Sequence, residues 1–344
     1  MIKDPWKSSS VRMALDGKSF IDSKVIHIHT RNEAVRFLES YGYDLNDAED
    51  KNELQAIRSE AIELIQNELL LPNELIPSSV LDEIDVCNLL MMASGHTNKR
   101  DAAWVGSILR VMHTLAHSHS YLNDLYHEII RTQILNRFDK VIRTKDFKTF
   151  IGPIPLHQFE FRKAKTRWSA ALKLMHKAEN VAADIFDWVG IRIVTEYRAD
   201  AMELLAYLRN EHVIAFSNIK PSRSRNTLIN LDWVDKMSAV GVSSQQLRAD
   251  IQDAKYPYEQ EQLNKNPFSE ISYQSIQLTC RQRIKIRQAS GNRLSFFFPF
   301  ELQIIDRVSY QRTREGLASH SEYKKRQKLA VRRRILPFLK NKNK

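Results

Sequence analysis

Cysteine is nearly absent: Cys87 and Cys280 are the two in 344 residues. That is too few, in contexts too ordinary, for a disulfide framework or a cysteine-based zinc site, so both are expected to be buried, reduced thiols. Long apolar runs are missing as well, none approaching the ~18 residues of a membrane span. The start, MIKDPWK, lacks the apolar stretch of a secretory signal. A soluble, cytoplasmic protein with no membrane partner is expected. GKS at 17–19 is not a phosphate loop, because Arg12 stands where the loop needs glycine. No His-Asp dipeptide is present, which removes any sign of a His-Asp metal phosphohydrolase.

Acidic residues are absent from 323–344, a stretch with ten Lys/Arg, whereas residues 1–322 hold 42 Lys+Arg against 41 Asp+Glu. The net charge of +11 therefore lies almost wholly in residues 323–344, of which 327–344 are read as a basic C-terminal tail. Such a tail either contacts RNA phosphates through salt-sensitive electrostatics or is a solvated end. At 43% hydrophobic and 27% charged the chain can bury a sizeable core, which excludes disorder, and its length fits roughly two domains.

Periodicity reads residues 1–152 as mainly helical. Leu54, Ile57, Ala61, Leu64 and Ile65 form one stripe in Asn52–Leu70, ended by Pro72 and Pro77. Further helices are expected over Ser79–Ala93, Asp101–His117 and Tyr121–Arg143. His113, His117 and His119 carry an i, i+4 pair of the kind that holds a metal from one helix face. No HExxH accompanies them, and the pair lies opposite the apolar stripe, so polar-face histidines are the preferred reading.

From Pro153 strands alternate with helices. A helix is expected over Phe159–Asn180, with Phe161, Trp168, Leu172 and Met175 inward and Lys165, Ser169 and Lys173 in a row beside them. Gly190–Thr195 reads as a strand, Ala199–Asn210 as a helix and His212–Asn218 as a strand. Residues 219–268, opening with KPSRSR, read as an irregular polar insertion. Tyr273–Asp306 reads as two long strands around the Gly291-Asn292 turn signal. Even-numbered residues are apolar in both strands, which puts Tyr273, Ser275, Gln277, Glu301 and Gln303 together on the other, exposed face. A lone mid-strand carboxylate among such residues marks a candidate site.

Four blocks in order resemble the synthetase domain of the RelA/SpoT family, which makes the alarmone (p)ppGpp. KAKTRWSAALK at 163–173 is similar to that family's basic helix, with Lys163 where Arg is usual. DWVGIRIV at 187–194 is similar to its Asp-x-x-Gly-Ile-Arg strand entry, and YQSIQLT at 273–279 to its Gly-Tyr-Gln-Ser-Ile-His-Thr. FELQI at 300–304 with EGLASHSEYK at 315–324 resembles Glu-Ile-Gln-Ile followed by Gly-x-Ala-Ala-His-x-x-Tyr-Lys. The resemblance leaves residues 1–150 uncovered. It implies a mixed-sheet nucleotidyltransferase-like domain over 153–326, which together with the helical N-terminal region read from periodicity makes an α+β chain.

The implied reaction moves pyrophosphate from ATP to the 3′-hydroxyl of GDP or GTP and releases AMP, the chemistry of the stringent response. Such a transfer needs a divalent cation, cationic clamps and an oriented hydroxyl. The resemblance assigns Mg²⁺ to Asp187 and Glu301, with Glu301 also available to draw the proton from the hydroxyl. It assigns the ATP phosphates to Lys163, Lys165, Ser169, Lys173 and Arg192, and the acceptor to Tyr273, Gln274 and Gln277. Tyr273 would stack on the base for roughly 1–3 kcal/mol. Gln303 and His320 would support from behind. Singly, each residue has an ordinary alternative: Asp187 as a turn cap, the lysines as a solvated face, Tyr273 as strand-edge packing.

Departures cluster on the acceptor side. Ser269-Glu270-Ile271-Ser272 replaces Lys-x-Asn-Gly, Gln277 replaces His, and Ile305-Asp306 replaces Arg-Thr. Two further readings therefore stay open. One is a pyrophosphokinase with another acceptor, an adenine nucleotide or a tRNA 3′ end. The other is a non-catalytic descendant that binds nucleotide or RNA.

Overall fold

The computed structural model describes residues 26–118, 121–162, 166–176, 187–252, 274–288, 291–314 and 320–339. In chain order the elements are α1 (Arg31–Ser40), α2 (Ala48–Leu64), α3 (Ser78–Leu81), α4 (Val86–Ala93), α5 (Lys99–His117) and α6 (Tyr121–Asp139). Strands β1 (Ile142–Lys145), β2 (Lys148–Ile151) and β3 (Ile154–Phe161) follow, then α7 (Arg167–His176), β4 (Gly190–Thr195), α8 (Asp200–Asn210) and β5 (Arg225–Asn226). The remainder is α9 (Leu231–Ala239), α10 (Ser244–Gln252), β6 (Ile276–Arg287), β7 (Arg293–Asp306), α11 (Arg307–Arg314) and α12 (His320–Ile335). This is an α+β chain with a mixed sheet. It forms two compact units interleaved along the sequence: a helical unit of residues 1–119, 166–184 and 325–344, and a sheet unit of residues 120–165 and 185–324.

The helical unit is organised by its caps and one apolar core. Thr30 and Glu33 close a capping box on α1, and Asp47, Asp85 and Asn98 each accept a backbone N–H at the start of α2, α4 and α5. The Asp85 cap divides the expected single helix over 79–93 into α3 and α4. Trp104, Ile108 and Leu115 of α5 meet Leu64, Ile65 and Leu89 in a core that also takes Leu172 and Met175 from α7.

Within the basic C-terminal run, residues 327–339 belong to this core rather than to an extended tail. Val331, Ile335 and Leu336 are buried in it, and the Ser107 hydroxyl donates to the Ile335 carbonyl at 2.6 Å. Arg332 is buried and donates to both Glu74 carboxylate oxygens, at 2.7 and 2.6 Å, and to the Leu69 carbonyl at 2.7 Å. Lys328 pairs with Glu68, and Arg334 donates to the Met175 carbonyl. These cations hold the helix in place.

The sheet unit carries seven strands in the order β1-β2-β3-β4-β7-β6-β5, all neighbours antiparallel except the parallel pair β4–β7. Its hairpin follows the alternation read from the sequence. Ile276 opposes Ile304, Cys280 opposes Phe300 and Ile284 opposes Phe296, even against even. β6 is an edge strand beyond β5, and Gln133 of α6 blunts that edge by bonding both backbone groups of Lys285.

Four expectations fail here. The helix expected through Arg143 ends at Asp139, and Ile142–Lys145 and Lys148–Ile151 of the region read as helical form β1 and β2. Residues 159–161 end β3 instead of opening a helix. Residues 212–218 turn after α8 and close a short 3₁₀ turn, Phe216–Asn218, instead of a strand. The stretch 219–268 holds β5, α9 and α10 within its described part.

Candidate functional site

Register builds the site on the sheet unit. β4 and β7 align Arg192 with Gln303, β3 brings Glu160 opposite Arg192, and β6 brings Gln277 opposite Gln303. β5 extends the row with Arg225 opposite Gln277. Opposed residues share a face, so Glu160, Arg192, Gln303, Gln277 and Arg225 make one polar row across five strands. Two residues along, Gly190, Glu301 and Thr279 form a second row. The expected grouping of Gln277, Glu301 and Gln303 is thus present, but the face is not open: Gln303 and Thr279 are buried and the Glu301 side chain is 18% exposed.

Arg192 is held from both sides. Its Nε donates to Gln303 Oε1 at 2.7 Å and its Nη1 to Glu160 Oε2 at 3.2 Å. The Tyr310 hydroxyl of α11 donates to the other Glu160 oxygen at 2.5 Å, and its ring lies under the guanidinia of Arg192 and Arg314 at 5.8 and 5.7 Å. Burial, then the bond to Glu160, raises the Tyr310 hydroxyl above its usual range. Glu160 and Tyr310 were missed from the sequence, because Glu160 opposes Arg192 only once β3 is a strand.

Glu301 lies at the centre of the second row. Its backbone N–H donates to the Val189 carbonyl at 2.9 Å, which ties β7 to the segment between Asp187 and β4. Arg162, immediately after β3, donates its backbone N–H to the Gly190 carbonyl and sets Nη1 3.4 Å from Glu301 Oε1. Gly190 makes room for this reach: a Cβ there would meet Arg162 Cδ at 3.0 Å. The carboxylate donors of Asp187 and Glu301 suit Mg²⁺, which takes one or two carboxylates and completes its shell with substrate oxygens and water.

Where the strands end, the sequence departures are used for packing. Ile305 is buried with Val194 and Tyr310. Asp306 is buried with Oδ2 3.7 Å from Arg198 Nε, and Arg198 Nη2 donates to Gln274 Oε1 at 2.7 Å and to the Ser309 hydroxyl at 3.4 Å. Gln274 thus serves an internal network. Nearby Asp200 is buried against Arg248, and burial raises its carboxyl despite that partner.

Ser169 and Lys173 lie on α7 in the helical unit, where Ser169 takes a hydrogen bond from the Thr166 hydroxyl at 2.9 Å. Lys163, Lys165 and Tyr273 lie outside the described residues, as does the side chain of His320, whose backbone opens α12. His119 is also outside them. His113 is not on a solvated face: it lines an apolar cavity of ≈ 490 Å³, counting its open mouth, with Tyr41, Leu54, Ile57 and Met112. Its Nδ1 is 2.8 Å from the Tyr41 hydroxyl and its ring 4.4 Å from that of His117. Burial, with a smaller push from His117, lowers its pKa to about 4.

No helix among the described residues is long and apolar enough to cross a membrane. No protein-family model and no curated protein matches the chain. Among solved structures it is similar to a GTP pyrophosphokinase family protein from Streptococcus pneumoniae, at 12% identity and a TM-score of 0.30 over 63% of this chain and 87% of that one. Small alarmone synthetase 2 from Bacillus subtilis matches at 13% identity and 0.30, covering 63% and 91%. The smu.1046c protein from Streptococcus mutans UA159 matches at 14% and 0.27, covering 63% and 88%.

Proposed function

We propose that the chain is a nucleotide pyrophosphokinase that moves pyrophosphate from ATP to the 3′-hydroxyl of GDP or GTP and releases AMP. The observation that carries the reading is Glu301, a carboxylate at the centre of a shielded polar face, on the strand bonded to the one Asp187 leads into. Mg²⁺ held by Asp187 and Glu301 would neutralise phosphate charge in the transfer. Glu301 accepts the proton of the attacking hydroxyl. Arg192, locked by Glu160 and Gln303, presents fixed positive charge and needs little reorganisation as phosphate charge develops. Lys163 and Lys165 clamp the donor phosphates, and Tyr273 and Gln277 receive the acceptor.

The test is label transfer from γ-labelled ATP with Mg²⁺ to GDP, GTP, ADP, ATP or deacylated tRNA. Transfer to a guanine nucleotide, reduced about 10²–10⁴-fold by Glu301→Gln, is expected. A second reading keeps the chemistry and changes the acceptor, because Gln274 is engaged by Arg198 and Asp306 fills the strand end. Transfer to an adenine nucleotide or tRNA alone would select it. No transfer to any acceptor would favour the non-catalytic descendant.

A further inference from the structure

The distal half of the β6–β7 hairpin carries charge that folding does not account for. On its odd-numbered face Arg281, Arg283, Lys285 and Arg287 follow one another along β6 at ~7 Å intervals, all exposed. Arg293 of β7 lies directly opposite Arg287, a like-charge pair that weakens the hairpin. Elsewhere in the sheet unit Arg162, Arg192, Arg198, Arg248 and Arg307 each face a carboxylate. Among the described residues none of the five hairpin cations is in an ion pair. The even-numbered residues of this half are apolar apart from Gln282, whose amide donates to the Gln133 carbonyl, so the hairpin presents its cations on one side only.

One large apolar side chain stands among them. Phe297, opposite Arg283, is 49% exposed, and the Arg281 guanidinium lies over its ring at 5.4 Å. Cations spaced along an extended strand with an aromatic face between them match an unpaired polynucleotide, whose phosphates meet the charges and whose bases can stack. In a duplex the bases are already stacked, which leaves the ring without a role. A bilayer would need more apolar surface than one phenyl ring.

We propose that the odd-numbered face of residues 281–287 and 293–299 binds single-stranded nucleic acid, with phosphates on the five cations and a base on Phe297. This surface is distinct from the C-terminal run expected to touch RNA, whose Lys328, Arg332 and Arg334 are engaged within the helical unit. The proposal does not depend on the catalytic reading, because the binding assay contains neither ATP nor a guanine nucleotide.

Fluorescence anisotropy of the full chain with labelled 15-mer oligo(U) and oligo(dT) tests it. Wild type is expected to bind with a log–log salt slope near −3.5, at about −0.7 per phosphate contact. Arg283→Ala/Lys285→Ala/Arg287→Ala should bring the slope to about −1.4. Phe297→Ala should weaken binding about tenfold and leave the slope unchanged. Photocrosslinking of a 5-bromouracil oligonucleotide to the wild-type peptide containing Phe297 gives a readout that needs no variant. Tighter binding of oligo(U) than oligo(dT) assigns the face to RNA, and the reverse assigns it to DNA. Unchanged binding by properly folded variants, or a crosslink elsewhere, overturns the proposal. Equal affinity for a duplex with no effect of Phe297→Ala also overturns it. Retention on phosphatidylserine vesicles without oligonucleotide binding would give the face to a membrane surface instead.

Discussion

Among the described residues one guanidinium, that of Arg162, lies against Glu301, and that contact sets a testable competition. Arg162 and a divalent cation would both draw on the same carboxylate, so each weakens the other. Arg162→Ala is expected to lower the Mg²⁺ concentration giving half-maximal activity severalfold, measured by titrating Mg²⁺ in the label-transfer assay; an unchanged midpoint would separate Arg162 from the metal site. His113 supplies a second expectation, on stability. Its pKa is depressed from 6.5 to about 4 in the fold, so the unfolded chain binds the extra proton first as pH falls. Its stabilisation is full above pH 6.5 and is lost between 6.5 and about 4, a change of order 2–3 kcal/mol. Thermal unfolding across that window should show the loss in wild type and a flatter profile in His113→Phe. At this scale the sequence exposes the residues on β6 and β7, because strict alternation reveals which side chains share a face. It hides Glu160, Arg162 and Tyr310, whose relevance comes from register and from a helix folding back onto the sheet.

Elements were legible where one period ran unbroken. The β6–β7 hairpin alternates through its whole length, and α5 keeps its apolar stripe over five turns, so both are recognisable by pattern alone. β3 is not, because a bulge between Leu156 and Gln158 switches parity: Ile154 and Leu156 precede it on even numbers, while Phe159 and Phe161 follow on odd ones. Read without the bulge, Phe161 falls into helical spacing with Trp168. Val213 and Ile214 mislead differently, since they are buried by the turn that ends α8, where Val213 N–H bonds the Leu208 carbonyl, and never reach a sheet. α12 was obscured by its charge, although its cations include a buried one. Glu74→Ala would leave Arg332 without its carboxylate and is expected to cost about 2–4 kcal/mol, somewhat below a fully buried pair because Glu74 is partly exposed. Arg332→Met with Glu74→Leu should recover most of that loss in chemical denaturation; no recovery would mean the guanidinium bond to the Leu69 carbonyl matters more than the pair.

Interleaving of the units is the property least accessible from sequence, because no local pattern records which distant segment completes a core. A cut near residue 152 follows the change from helical to alternating texture. In space residues 120–151 belong with the sheet, while 166–184 and 325–344 return to the helical unit. The core of that unit takes Leu172 and Met175 from one return and Val331, Ile335 and Leu336 from the other. Fully burying such side chains contributes about 1.5–3 kcal/mol each, so the five together are worth about 10 kcal/mol. A whole domain has a net stability of about 5–15 kcal/mol, so losing this share leaves little or nothing. Residues 1–119 expressed alone are therefore expected to lack a cooperative unfolding transition, even where their capped helices give a far-ultraviolet helical signal. A sharp two-state melt for that fragment would show that the N-terminal helices are self-sufficient. In that event α7 and α12 would be supports added to a finished bundle, and deleting residues 325–344 from the full chain would leave its melting temperature nearly unchanged.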